Sequence, residues 1–217
     1  MTVDIWETVA GGILMTIQLT AFGFAMGAAL GLPLLALRIA PSWILRSTAR
    51  SFIEITRGVP LVVWLFLIYN GTTQFDPALG SIFASERSAI LAIGLVSAAY
   101  MAEIYRGSLR AIKQGQFEAA RALGMSQLDL ASRIIGPQMV RVAIPASASY
   151  GINLLKDSSL ASTIGVFEIS YYATTASSTT TSVTPFFVAG LYYIALTFPS
   201  AWVARHLEAR MLKGVAA

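Results

Sequence analysis

From Ala10 to Leu37 the chain carries no charged residue. A helix rises about 1.5 Å per residue, and a bilayer's hydrocarbon core is roughly 30 Å thick. A run this long therefore reads as a helix that crosses a membrane. Thr16, Gln18 and Thr20 give it one polar side. A cleaved secretory leader is the rival reading. Asp4 and Glu7 stand where a leader is basic, and the run is too long for one. The first stretch is therefore expected to be a retained helix. Only 12% of the residues are charged and 56% are hydrophobic, whereas a soluble domain is about 25% charged.

Four more apolar stretches follow. The second is Val59–Tyr69, extended backwards through Phe52–Gly58, where Glu54 and Arg57 are close enough to pair on one helix face. The third runs from Ser88 to the edge formed by Glu103 and Arg106, the fourth from Val140 to Val166, and the fifth from Pro185 to Val203. The expected spans are residues 10–38, 52–70, 88–106, 140–166 and 185–204, in a single domain covering residues 1–217.

The placement of charge gives an orientation. Arg38, Arg46, Arg50 and Arg57 lie between the first two stretches, and only Arg87 lies between the second and third. Arg106, Arg110, Lys113, Arg121, Arg133 and Arg141 lie between the third and fourth, and no basic residue lies between the fourth and fifth. Arg205, Arg210 and Lys213 come after the fifth. Basic loops face the cytoplasm, so five spans put the N-terminus outside and the C-terminus inside. The formal charge of +4 is then a topology signal rather than a mark of nucleic-acid binding.

Several chemistries are excluded. With no cysteine there is no disulfide framework and no thiolate metal site. His206 is the one histidine, so neither a multi-histidine metal site nor an intramembrane serine–histidine pair can form. No GxxxxGK phosphate loop occurs. Gly23, Gly27 and Gly31 recur at four-residue spacing and form a stripe that admits a second helix backbone closely. Pro33, Pro145 and Pro199 allow kinks.

Two connections stand out. Residues 107–138 are too many for a plain loop. Phe117, Ala120, Leu123 and Gly124 fall on one face, as do Leu128, Leu130 and Ile134. Gly124 can cap the first piece, and Ser126 with Asp129 can start the second. Such a unit either docks into a partner or rests on the bilayer surface. The uncharged, Ser/Thr-rich segment Ser170–Thr184 reads as a flexible solvated loop.

Glu118-Ala119-Ala120, then Gly124, Ile134 and Gly136-Pro137, resemble the EAA motif of bacterial ABC importer permeases, with Gly136 standing where leucine is usual. Three further stretches resemble the polar amino-acid branch (histidine, glutamine, arginine and opine type) of that family. They are Phe52–Leu61, Ala102–Gly107 and Leu154–Leu160 with Ile164–Val166. The resemblance implies an all-α integral membrane protein of five transmembrane helices, the type I ABC importer permease fold, with a cytoplasmic coupling helix. It also implies a second permease subunit, identical or similar. Two ATPase subunits would bind ATP and Mg, and an extracytoplasmic binding protein would deliver an amino-acid substrate. This chain would bind no cofactor and catalyse no reaction. Its place would be the bacterial inner membrane. Glu118, Ala119, Ala120 and Gly124 would couple to the ATPase.

Charged groups inside a membrane are costly and tend to face a cavity or each other. Lys156 and Asp157 stand within the fourth stretch, and successive helical residues point about 100° apart, so they do not neutralise each other face to face. An amino acid offers both charge signs. Lys156, Asp157, Ser158 and Asn153, with Arg57 and Glu103, are the candidate substrate residues. The alternative is a structural network joining Asp157 to Arg57 or Lys156 to Glu103. The competing function is an ATP-independent secondary transporter or channel for a small polar solute, which often shows inverted repeats. None is visible here.

Overall fold

The computed structural model describes residues 4–75 and 84–212, and Lys213 lies outside them. The described chain is helical. In order it forms α1 (Ile5–Ala10), α2 (Ile13–Arg38), α3 (Trp43–Gly58), α4 (Leu61–Phe75), α5 (Ser85–Arg110), α6 (Gln114–Ala122) and α7 (Gln127–Asp129). After α7 come a π-helical turn Leu130–Ile135, α8 (Gly136–Asp157), a 3-10 stretch Ser158–Ile164, α9 (Ile169–Thr180) and α10 (Thr184–Leu212).

Three stretches are each long and apolar enough to cross a membrane: Ile5–Arg38, Ser85–Arg110 and Thr184–Met211. The pair Trp43–Gly58 and Leu61–Gly71 passes the same test only jointly. The fourth expected stretch carries Arg141, Lys156 and Asp157, which lower its hydropathy.

The core is the pairing of α2 with α5. On α2 the buried residues Thr16, Leu19, Gly23, Gly27, Gly31 and Leu35 recur every three or four positions. A Cβ added at Gly27 would lie 2.2 Å from the Cβ of Ser97, and one at Gly31 would lie 2.7 Å from the Cβ of Met101. Conversely, Met26 fills the space above Gly94. The glycine stripe thus lets two backbones approach more closely than side chains allow.

The expected continuous second span does not form. Pro60 has no N–H, and it forces the preceding residue into extended backbone. Val59 takes φ −91° and ψ 130°, and the helices on either side meet at 100°. The Trp64 indole N–H donates to the Thr56 carbonyl across the break, 3.2 Å, and satisfies one carbonyl that the broken helix leaves open. The expected Glu54–Arg57 pair is also absent. Glu54 instead accepts from Arg50, one turn back, at 2.7 Å.

Other boundaries shift. The third helix begins at Ser85 and ends at Arg110. The fourth begins earlier than Val140, because the π turn feeds directly into Gly136 and the helix does not end there. A short helix, α1, precedes the first span and turns into it at Gly11–Gly12. A Cβ at Gly12 would lie 2.3 Å from the Ile169 nitrogen, so only glycine permits this junction.

Ser170–Thr184 is not a loop, because most of it is helix α9. Its hydroxyls bond to their own helix: Thr174 donates to the Ser170 carbonyl and Thr180 to that of Ala176, at 2.8 and 2.7 Å. Ile169, Ala173 and Ala176 form a buried stripe on it. Ile169 and Ala173 pack with Val9, Val188 and Ala189. Glu168 caps this helix. Its carboxylate accepts from the Tyr171 N–H at 2.9 Å and the Tyr193 hydroxyl at 2.6 Å, fully buried.

Candidate functional site

The bend at Val59–Pro60 aims the end of α3 at α5 and α8. Arg57, Val59, Pro60, Leu61, Tyr100, Tyr150, Asn153, Lys156 and Asp157 contribute to the wall of a pocket of about 390 Å³. Two larger cavities, of about 580 and 550 Å³, have no charged residue in their walls. Of these three, the smallest one is where a polar solute can satisfy its charges.

Four of the six candidate substrate residues therefore meet: Arg57, Asn153, Lys156 and Asp157. Tyr150, Asn153, Lys156 and Asp157 do so because residues three or four apart share a helix face. Arg57 arrives from α3, across the break. Its guanidinium carbon sits 4.7 Å from the centre of the Tyr100 ring. Tyr100 in turn stacks on Tyr150, with ring centres 5.1 Å apart and planes at 21°. The Tyr150 hydroxyl donates to the Ser97 Oγ at 3.0 Å. Three helices are thereby joined by one stack of a cation and two rings.

The other two candidates lie outside the pocket. Ser158 is buried, and its hydroxyl donates to the Leu155 carbonyl, three residues back at the end of α8, at 2.7 Å. Glu103 accepts from the Arg106 Nε at 2.9 Å and pairs with the Arg38 Nε at 3.6 Å. The structural network considered above is absent. Among the described residues, neither Arg57, Lys156 nor Asp157 makes an ion pair or a side-chain hydrogen bond. Sequence reasoning missed Tyr100 and Tyr150. Their positions, one turn before Glu103 and one turn before Asn153, were the available signal.

The second candidate region is α6 and the turn after it. Ala120 is buried against Ile112, Leu130 and Ile135. Glu118 and Ala119 are exposed on the other side. Gly124 takes φ +71°, a left-handed conformation that costs other residues energy. Its N–H donates to the Arg121 carbonyl and the Met125 N–H to that of Ala120, which completes a Schellman cap. Ser126 starts the next piece, accepting from the Asp129 N–H at 3.1 Å.

The expected apolar faces need correction. Leu123 and Leu128 are 81% and 79% exposed, away from buried Ala120 and Leu130. They flank the tight turn, which points them outward.

Comparison with known proteins identifies the family. The family model described as "Binding-protein-dependent transport system inner membrane component" matches residues 23–213. The nopaline transport system permease protein NocM of Agrobacterium fabrum is 36% identical over 90% of this chain and 88% of its own length. The octopine transport system permease protein OccM of Rhizobium meliloti is 38% identical over 91% of this chain and 84% of its own length. OccQ of the same organism is 33% identical, covering 93% of this chain and 89% of its own length. Among solved structures, an amino acid ABC transporter crystallised with histidines aligns with TM-score 0.87 at 31% identity, over 97% of this chain and all of that one. A methionine ABC transporter, MetNI, shares the fold, with TM-score 0.80 at 18% identity over 97% of this chain and 99% of that one. The chain belongs to the binding-protein-dependent transport system inner membrane components: it is the permease subunit of an ABC importer, and the ATPase is a separate subunit.

Proposed function

We propose that this chain forms half of the path by which a bacterial inner-membrane importer takes in a polar amino acid or an opine. The observation that carries this reading is the pocket in which Arg57, Lys156 and Asp157 converge with no ion-pair partner among the described residues. Charges within a membrane-spanning stretch are costly and ordinarily face a partner or a cavity. A ligand with an ammonium and a carboxylate supplies partners, with Asp157 taking the ammonium, Lys156 the carboxylate and Asn153 further hydrogen bonds. The names of the relatives, for octopine and nopaline transport, support this substrate range.

The chain is one domain with five spans. Helix α8 and the 3-10 stretch after it, Gly136–Ile164, supply the span that hydropathy alone does not reach. The alternation of basic loops supports an outer N-terminus and an inner C-terminus. Two matching relatives from one organism, OccM and OccQ, support a similar second permease, identical or not. Two ATPase subunits hold ATP and Mg, and an extracytoplasmic binding protein delivers substrate. The exposed face of α6, with Glu118 and Ala119, and the turn at Gly124 dock on the ATPase. Buried Ala120 fastens that helix to the permease.

Uptake by the reconstituted complex tests the site. Asp157→Asn removes the anion without removing bulk. Uptake should be lost while assembly with the ATPase subunits is retained. Unchanged transport kinetics in the variant would remove Asp157 from the path.

A further inference from the structure

We infer that the groove between α2, α8 and α10 binds an anionic phospholipid of the cytoplasmic leaflet, with an acyl chain in the groove and the phosphate between Arg141 and Arg210. The groove is the cavity of about 580 Å³, walled by Phe24 of α2, Ala148 and Gly151 of α8 and Val203 of α10 among others. It has no charged residue in its wall, and its two hydroxyl groups are already used. Thr20 donates to the Thr16 carbonyl at 2.8 Å and Ser200 to the Leu196 carbonyl at 3.0 Å. Such a wall receives an apolar chain and rejects a polar solute. The cavity of about 550 Å³ adjoins it, because Phe24 and Ala148 belong to both walls. A second chain of the same lipid has room there.

The charges at one end select the occupant. Arg141 stands seven residues before Ala148 on α8, and Arg210 stands seven residues after Val203 on α10. Seven residues are nearly two turns, so each arginine lies within about 20° of the groove face and about 10 Å beyond its wall residue. Tyr193, early in α10, bonds Glu168, which follows the end of α8, so the two helices run in opposite directions. Both displacements therefore point the same way, to the side proposed above as cytoplasmic. Both arginines are exposed. Among the described residues, neither makes an ion pair or a side-chain hydrogen bond. Glu208 and Arg205 lie about 160° and 140° around the helix from Arg210. Exposed Trp202 packs on His206, with ring centres 4.1 Å apart, and such rings sit at headgroup level. Arg210, two turns further on, then reaches the phosphates. A lipid supplies both parts at once: a chain for the apolar wall and a phosphate for two guanidinium groups. This rests on the proposed orientation and is independent of the substrate pocket.

The test is native mass spectrometry of the complex of permeases and ATPase subunits, released from membranes of equal parts phosphatidylglycerol and phosphatidylcholine. Phosphatidylglycerol should be retained about tenfold or more over phosphatidylcholine, as expected for two cations at one headgroup. Arg141→Gln with Arg210→Gln should bring that ratio close to one. Arg205→Gln, on the opposite face of α10, should leave it unchanged. Ala148→Phe and, separately, Val203→Trp fill the groove from two walls and should lower retention of both lipids. Thermal unfolding of each variant checks that the complex is intact. The chain has no cysteine, so benzophenone maleimide on Val203→Cys probes this one place in it, and under light it should attach to lipid. The inference is overturned if the wild type retains both lipids alike, or if the preference survives the loss of both arginines. It is also overturned if Arg205→Gln lowers the preference as much as the double variant, or if neither groove filling lowers retention. A photoprobe that links to the second permease instead would make that subunit the occupant and overturn it too.

Discussion

Replacing Gly27 by alanine should separate α2 from α5. The new Cβ would lie 2.2 Å from the Ser97 Cβ, 2.8 Å from the Ser97 carbonyl carbon and 3.1 Å from the Ala98 nitrogen. Ordinary contacts begin near 3.5 Å, so the helices must part by about 1–2 Å. Two of the three opposing atoms are backbone, which cannot rotate away. Overpacking of this kind costs about 1–3 kcal/mol, and the rigid neighbours put Gly27→Ala at the upper end. For a chain of this size that lowers Tm by about 5–10 °C. Tryptophan fluorescence of the detergent-purified complex during heating reads it. Gly190→Ala on α10 is the control, because a Cβ there meets nothing within 4 Å. Adding Ser97→Gly removes the shortest contact and leaves the backbone ones, so the double variant should recover part of the loss. A cycle of the four proteins isolates this coupling. A Gly27→Ala complex that melts with the wild type would refute the close packing of α2 on α5.

Three further outcomes follow from the geometry. Gly124→Ala places a side chain in left-handed backbone at about 1–2 kcal/mol, a cost that Asn bears more easily. Substrate-stimulated ATPase should fall for Ala and Asp and less for Asn, at equal levels of inserted complex; equal coupling in all three would exclude the turn from the mechanism. Leu123→Ser with Leu128→Ser alters two outward-facing side chains, so Tm should move by less than about 0.5 kcal/mol equivalent. Co-purification of the ATPase subunits should drop, and undiminished yield would place the docking surface elsewhere. Glu168→Gln offers one acceptor oxygen where the carboxylate serves both Tyr171 N–H and Tyr193 OH. The loss of about 1–3 kcal/mol should appear as a lower Tm and faster proteolysis within α9, and an unaltered cleavage rate would contradict the clamp.

Much of the packing was legible in the residues. The glycine stripe predicted a close helix contact, and Ser97, Ile93 and Met101 proved to be what it meets. Gly124 was recognised as a cap because few other residues tolerate its backbone. The break at Pro60 was missed because the apolar count ran across it, although a proline restricts the residue before it whatever the hydropathy. Helix α9 was missed because serine and threonine usually signal solvated loops. In a helix their hydroxyls can turn back to the preceding turn, and the spacing of Ile169, Ala173 and Ala176 was the better guide. At the pocket, residue type pointed to Arg57, Lys156 and Asp157, since charge in an apolar stretch demands a reason, and to their polar neighbours, of which Asn153 lines the pocket and Ser158 does not. It also drew in Glu103, whose local partner Arg106 stood three residues away. The stacked tyrosines depended on which helices meet, which local spacing does not encode.

The tight union of α2 and α5 has a mechanical consequence. Helix α5 places Tyr100 in the pocket wall, and Leu109 near its other end packs with the cluster that holds Ala120. These two points are about 14 Å apart along the helix axis. Flexible side chains between α2 and α5 would absorb a push at one end by changing rotamers. Glycine against backbone has no rotamers to change. A push at the Leu109 end of α5 is therefore transmitted along a stiff rod and arrives at the Tyr100 end as displacement.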